Sequence, residues 1–142
     1  MDDEILKMLD ARQDYLRKLC NTNRFYKVLN SNKKHYDFQY VAGINILKDN
    51  FSEVGSCCKG GLYFTNEKNI GKFLSFGCYL TEVFLPIDNP NFKIVKDPSG
   101  DKWRANMIIL GNDINFSCCS LFDFKITNLS MIFDISCVEM IK

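Results

Sequence analysis

The chain has 142 residues, 46% hydrophobic and 25% charged, which are the proportions of a folded globular protein and too apolar for a disordered one. Its 18 basic and 17 acidic residues leave a formal charge of +1, so a nucleic-acid or membrane-surface partner would need a local patch, not the field of the whole molecule. No apolar run approaches the roughly 20 residues of a membrane span, the acidic start MDDEILKMLD is unlike a secretory signal, and the length predicts one globular domain over residues 1–142.

Between Asp2 and Cys20, the residues Ile5, Leu9, Leu16 and Leu19 recur at helical spacing and Met8 and Tyr15 widen the stripe, which predicts an amphipathic helix. Asp2, Asp3 and Glu4 at its start and Arg17 and Lys18 near its end complement the helix dipole. Asn21, Thr22 and Asn23 break the pattern. RFYKVL (Arg24–Leu29) then reads as a strand, Asn30–Lys34 as a polar turn, and Tyr36–Tyr40 as a second strand able to pair with the first, with Gly43 as a break soon after it. Ser52–Gly61 reads as a loop.

The stretch GGLYFTNEKNIGKFLSFGCYLTEVFLP (Gly60–Pro86) carries the clearest signals: a strand at Leu62–Phe64, a helix over Asn66–Phe76 capped by Thr65 or Asn66, and a strand over Tyr79–Leu85 that Pro86 stops. Gly77 is expected to end the helix in the left-handed conformation. IDNPN and DPSG are turns around a short FKIVK strand, and Met107–Leu110 is a compact apolar strand. Beyond Gly111, NFSCCSLFDFKI and LSMIFDISCVEMI read as strand or helix alike, and the alternation of Met131, Phe133 and Ile135 favours strand in the second. The order of elements predicts an α+β fold: a mainly antiparallel or mixed sheet, an N-terminal amphipathic helix and one short helix after the GGLYFT strand. Leu62, Phe64, Phe73, Leu80, Phe84 and Ile108 are the expected core.

Seven cysteines, Cys20, Cys57, Cys58, Cys78, Cys118, Cys119 and Cys137, form an odd set without a secretory signal, which predicts reduced and largely buried thiols. Neither adjacent pair has the spacing with which one loop wraps a zinc ion, so no metal is expected. His35 is the sole histidine. With Tyr36, Tyr63 and Glu82 it follows the order of the histidine, tyrosine and glutamate set with which some ADP-ribosyl-transferring folds hold a nicotinamide ribose, although the flanking residues differ and a surface histidine and a solvent-facing strand glutamate are the plainer readings. His35 is also the one imidazole that could activate Cys57 or Cys58. GSCCKGGLYF does not match a phosphate-binding loop, and no cofactor is expected. Arg17, Lys18, Arg24, Lys27, Lys33 and Lys34 occur with no acid between them and are interleaved with Phe25, Tyr26 and Tyr36, the mixture a single-stranded nucleic-acid surface uses; spread over a helix end, a strand and a turn, the same charges can equally point in different directions.

The order FYKVL, HYDFQYVAGIN, GSCCKGGLYFTNEKNIGKFLSFGCYLTEVFLP and DKWRANMIIL resembles the N-terminal domain found ahead of ankyrin repeats in many proteins of mimivirus-like giant DNA viruses. Its most specific parts are Phe38, Gln39, Tyr40 and Gly43, the GGLYFT box, the Glu82–Val83 strand and the box Lys102-Trp103-Arg104-Ala105. The resemblance covers about residues 24–110, leaving 1–23 as the N-terminal helix and 111–142 as a divergent part without an ankyrin signature. In that family the repeats are the partner-binding part and no activity attaches to the N-terminal domain; with no dense catalytic set and with aromatic and glycine-rich loops, the expectation is a small non-enzymatic protein-interaction module, without the array, in the cytoplasm of an infected host cell or in the virion, acting on a host or viral protein. Trp103, Arg104, Tyr40 and Tyr63 are the partner-binding candidates. The alternatives are a nucleotide-using enzyme centred on His35, Tyr36, Tyr63 and Glu82, which requires His35, Tyr63 and Glu82 to converge on one pocket, and single-stranded nucleic-acid binding through the run from Arg17 to Lys34.

Overall fold

In the computed structural model, which describes residues 2–117, the acidic start does what its residue types suggest. Asp2 caps helix α1 (Asp3–Thr22), its carboxylate accepting the Glu4 backbone N–H at 3.1 Å. At the other end, the Asn23 side chain donates to the Leu19 carbonyl at 3.0 Å and stops the helix. Only the second half of α1 docks: Leu16 is buried, Leu19 packs beside it, Gln13 donates to the Ile87 carbonyl at 2.9 Å, and Arg12 donates to the Phe92 carbonyl. Ile5, Leu6, Met8 and Leu9 are exposed, so the apolar stripe of the sequence is covered over half its length.

Among the described residues nine strands come after it: β1 (Phe25–Leu29), β2 (Lys34–His35), β3 (Phe38–Gln39), β4 (Gly43–Ile46), β5 (Leu62–Asn66), β6 (Tyr79–Phe84), β7 (Ile94–Lys96), β8 (Trp103–Ala105) and β9 (Met107–Asn115). Seven form one sheet in the order β4-β9-β6-β1-β5-β8-β7, every neighbouring pair antiparallel, and β2 and β3 form a separate hairpin. The fold is therefore α+β, as the element order predicts. Because side chains alternate across a strand, Phe25, Leu29, Leu62, Phe64, Val83 and Trp103 share the face that meets Leu16 of α1. Phe25 stands edge-on to Phe64 and Trp103, with centroids 5.1 and 5.3 Å away. The opposite face carries Tyr26 and Leu80 under a 3₁₀ helix (Ile70–Phe76), whose Ile70 and Leu74 are buried against them.

Several expectations are corrected. Residues 36–40 are not one strand paired with β1: Tyr36 and Asp37 take positive φ, 48° and 64°, and turn the chain back so that His35 pairs with Phe38. The helix after GGLYFT is a 3₁₀ helix beginning at Ile70, because β5 runs on through Thr65 and Asn66. Instead of capping an α-helix, Asn66 accepts the Asn69 backbone N–H at 3.1 Å and donates to Asn23 at 2.9 Å, tying strand, turn and the end of α1 together. Gly77 is extended (φ −171°), and its necessity is steric: a Cβ there would lie 2.2 Å from the Leu29 carbonyl oxygen. Among the expected core residues, Leu62, Phe64, Leu80 and Ile108 are buried and Phe73 is half-buried. Phe84 is 52% exposed, since it lies over Gly111 at the end of β6 away from the 3₁₀ helix. The described cysteines are not buried: Cys57 is exposed and Cys20, Cys58 and Cys78 are half-buried. Cys118, Cys119, Cys137 and the expected strand around Met131, Phe133 and Ile135 lie outside the described residues.

Candidate functional site

Strands β1 and β5 pair only at Phe25–Asn66 and Tyr26–Thr65 and then part. Where they part, the buried Lys27 amine donates to the Tyr63 carbonyl at 2.6 Å. Over this opening, on the face of the 3₁₀ helix, lies a cleft of about 370 Å³. Ile70, Phe73 and Phe76 form one wall, the hairpin brings His35 and Tyr36, and Tyr63, Cys57 and Lys102 close the other side. His35 stacks on Tyr36 with centroids 4.4 Å apart, and Tyr63 stands 6.1 Å from His35 and 6.4 Å from Tyr36. The Tyr36 hydroxyl donates to the Cys57 carbonyl at 3.0 Å, which pins the hairpin to the loop before β5.

Three of the four residues in the sequence-level catalytic set thus meet in one cleft. Glu82 does not line it. Its strand position puts it on the same face, opposite Tyr26, but its carboxylate is directed to the Asn112 side chain at 3.4 Å. Partial desolvation of the ring, then the positive charges of Lys27 and Lys102, push the pKa of His35 down to about 4, so the imidazole is neutral at pH 7 although the residue keeps an exposed edge. Burial likewise pushes Lys27 down to about 7. Burial also works against charge on Lys102, but its donation to Cys57 Sγ at 2.8 Å and the nearby carboxylates of Asp97 and Asp101 raise its pKa. Lys102 sits 5.4 Å from the Tyr63 ring centre.

Of the partner-binding candidates, Trp103, Arg104 and Tyr40 are interior residues. Trp103 packs with Phe25 and Phe64. Tyr40 lies 4.7 Å below the Lys27 amine. Arg104, fully buried, forms a 2.9 Å ion pair with the equally buried Asp97 and donates to the carbonyls of Ser52 at 2.9 Å and Val54 at 3.0 Å. Asp97 also accepts the backbone N–H groups of Cys57 and Ser99, each at 3.0 Å, and the Ser56 hydroxyl at 2.9 Å; burial alone would raise its pKa, but these donors hold it well below the usual carboxylate range. This network shapes the loop that carries Cys57 into the cleft wall. Gly61 belongs to it, because a Cβ there would meet the Arg104 side chain at 2.8 Å. Tyr63 alone of the four candidates faces the cleft, its hydroxyl donating to the Cys58 carbonyl at 2.5 Å.

No protein-family model matches the chain, and no solved structure matches it. Its sequence matches proteins of Acanthamoeba polyphaga mimivirus. R868, named as an ankyrin repeat protein, is 46% identical over 99 residues, 68% of this chain and 49% of R868. R229, named likewise, is 47% identical over 95 residues, 64% of this chain and 31% of R229. This chain is a homologue of the mimivirus ankyrin repeat proteins. A third mimivirus protein, R869, whose name states no function, is 46% identical over 89 residues, 61% of this chain and 64% of R869. The chain therefore spans about half the length of R868 and about a third of R229.

In this homologue of viral proteins, the six cations of the basic run meet different surroundings. Arg17 pairs with Asp14 on α1 at 3.1 Å, Lys33 pairs with Asp113 of β9 at 2.6 Å, and Lys27 is buried. Lys18 lies on α1, the Arg24 backbone N–H is held by Glu67 at 2.8 Å, and Lys34 lines the cleft. Lys102 is the cleft residue that motif reading misses. Its signal is present in the box DKWRA, where alternation about the inward Trp103 sends Lys102 and Arg104 together toward the face of Tyr63. Among the described residues, no group of three or more His, Cys, Asp or Glu side chains is placed to hold a metal ion, and no helix is long and apolar enough to cross a membrane.

Proposed function

We propose that this chain is a small protein-interaction module of a giant DNA virus, acting in the cytoplasm of the infected cell on a host or viral protein. The observation that carries this reading is the recurrence of one region in proteins of unlike length. The matched segment makes up 49% of R868, 31% of R229 and 64% of R869, and two of the three are named for ankyrin repeats. A segment that travels among chains of different size, some named for a repeat that builds binding surfaces, behaves as a portable unit. The catalytic alternative lacks its carboxylate, because Glu82 does not reach the cleft where His35, Tyr36 and Tyr63 meet.

The test is proximity labelling with the tagged full chain in infected cells, followed by reconstitution from purified components. A recovered protein that forms a complex of fixed stoichiometry with the purified chain on size-exclusion chromatography is the expected result. Labelled proteins that all fail to bind the purified chain would remove the reading.

A further inference from the structure

We propose that the cleft between the hairpin β2–β3 and the 3₁₀ helix is a binding site for a small aromatic anion of the nucleotide class, its ring against Tyr36 and His35 and its phosphate at Lys34 and Lys102. The inference rests on the cleft and is independent of the protein-interaction reading.

Size and lining point the same way. A cleft of about 370 Å³ falls within the range of small-molecule sites, and a mostly apolar wall with a few placed polar groups is their usual construction. Lys27, Lys34 and Lys102 line it, and no carboxylate does. An occupant is therefore attracted by positive charge and meets no acid in the wall, which selects an anion. Lys27 is buried against the Tyr63 carbonyl, which leaves the exposed Lys34 and the half-buried Lys102, whose amine keeps two further N–H donors beside its bond to Cys57 Sγ, as the cations for an incoming phosphate. The bond to Cys57 Sγ, with Asp97 and Asp101 behind the lining, favours the charged form of Lys102.

The aromatic half of the ligand is set by the rings. Tyr36 has a φ of 48°, a left-handed conformation uncommon for a bulky residue, and is held there by the turn and by its hydroxyl bond to Cys57. The result is a preset stack of Tyr36 on His35 beside Tyr63, in a cleft that Phe73 and Phe76 also line. Flat π-faces of this kind accept a nucleobase, and a neutral imidazole can share its N–H with a ribose or base oxygen without repelling the lysines.

The probes are adenosine 5′-monophosphate, adenosine and inorganic phosphate, titrated calorimetrically into the full chain. Saturable binding of the monophosphate is expected, with adenosine and phosphate each at least about tenfold weaker, because each offers half of the matched chemistry. Lys102→Gln and Lys34→Gln should each weaken the monophosphate about five- to tenfold and leave adenosine unchanged. Tyr36→Ala should weaken both nucleoside-containing probes. Lys34 is exposed, so its variant keeps the test decisive even if Lys102→Gln disturbs the loop. No saturation at millimolar monophosphate, or equal affinity in wild type and Lys34→Gln, overturns the proposal.

Discussion

Lys27 shows how much one side chain's surroundings can decide. It occupies a strand position whose amine is enclosed, with the Tyr63 carbonyl and the Tyr40 ring as its polar company, and burial brings its pKa from 10.5 down to about 7. The unfolded chain therefore binds a proton at this group over a range of pH where the folded chain does not. Stability from Lys27 is complete above about pH 10.5, declines as pH falls toward 7, and changes no further below that. The wild type should gain on Lys27→Met by up to about 1.4 kcal/mol per pH unit between pH 7.5 and 9.5, read from urea melts of both proteins. A stability difference that stays constant across that window would contradict the assignment. None of this is legible in RFYKVL, where a lysine among apolar residues reads as a solvent-facing strand position. The same holds for Arg104, whose burial depends on Asp97 and on carbonyls from a loop some fifty residues earlier. Side-chain chemistry is readable from residue types, but which charges the fold encloses is not, because enclosure is decided by long-range pairing.

At the scale of elements, the periodic segments declare themselves and most of the short ones do not, β7 within FKIVK being the exception. Helix α1 and strands β1, β5, β6 and β9 carry enough alternation or 3.6-residue spacing to be recognised, and their bounds are displaced by only a few residues. β2 and β3, two residues each, are defined by left-handed Tyr36 and Asp37, a conformation that aspartate tolerates but that a bulky tyrosine does not advertise. The 3₁₀ helix reads as α-helical because Ile70, Phe73 and Leu74 fit either spacing over so short a run. What periodicity leaves open is how far a face is covered. Helix α1 has one apolar stripe, yet its docked part is the half that carries Leu16, so equal substitutions along the stripe should have unequal effects. Leu16→Ala should cost about 2–5 kcal/mol, whereas Leu9→Ala, at a residue 48% exposed, should stay within about 0.5 kcal/mol of wild type in the same denaturant titration. Comparable losses at both positions would mean that the first half of α1 is covered in solution.

For the molecule as a whole, near-neutral charge leaves the run from Arg17 to Lys34 as the one sequence feature that could make a nucleic-acid surface. The sheet distributes those residues instead. Lys33 is carried to the far end of β9 by its pair with Asp113, Arg17 is matched on its own helix by Asp14, and Lys27 is withdrawn from solvent. Lys34 is delivered to the cleft, where it joins Lys102, so folding makes a cationic pair in a pocket as an alternative to a stripe. The two arrangements differ in their response to salt. Six cations on the phosphates of a single strand would give a slope of log K against log salt of about −4, since each contact contributes about −0.7. Two cations around one phosphate would give no more than about −1.5. Fluorescence anisotropy of a labelled single-stranded oligonucleotide, measured across a salt series with the full chain, should therefore show weak binding with the shallow slope. A steep slope, lost when Arg17 and Lys33 are changed to Gln, would restore the stripe, because those two residues lie outside the cleft and contribute only if their ion pairs open to meet phosphate.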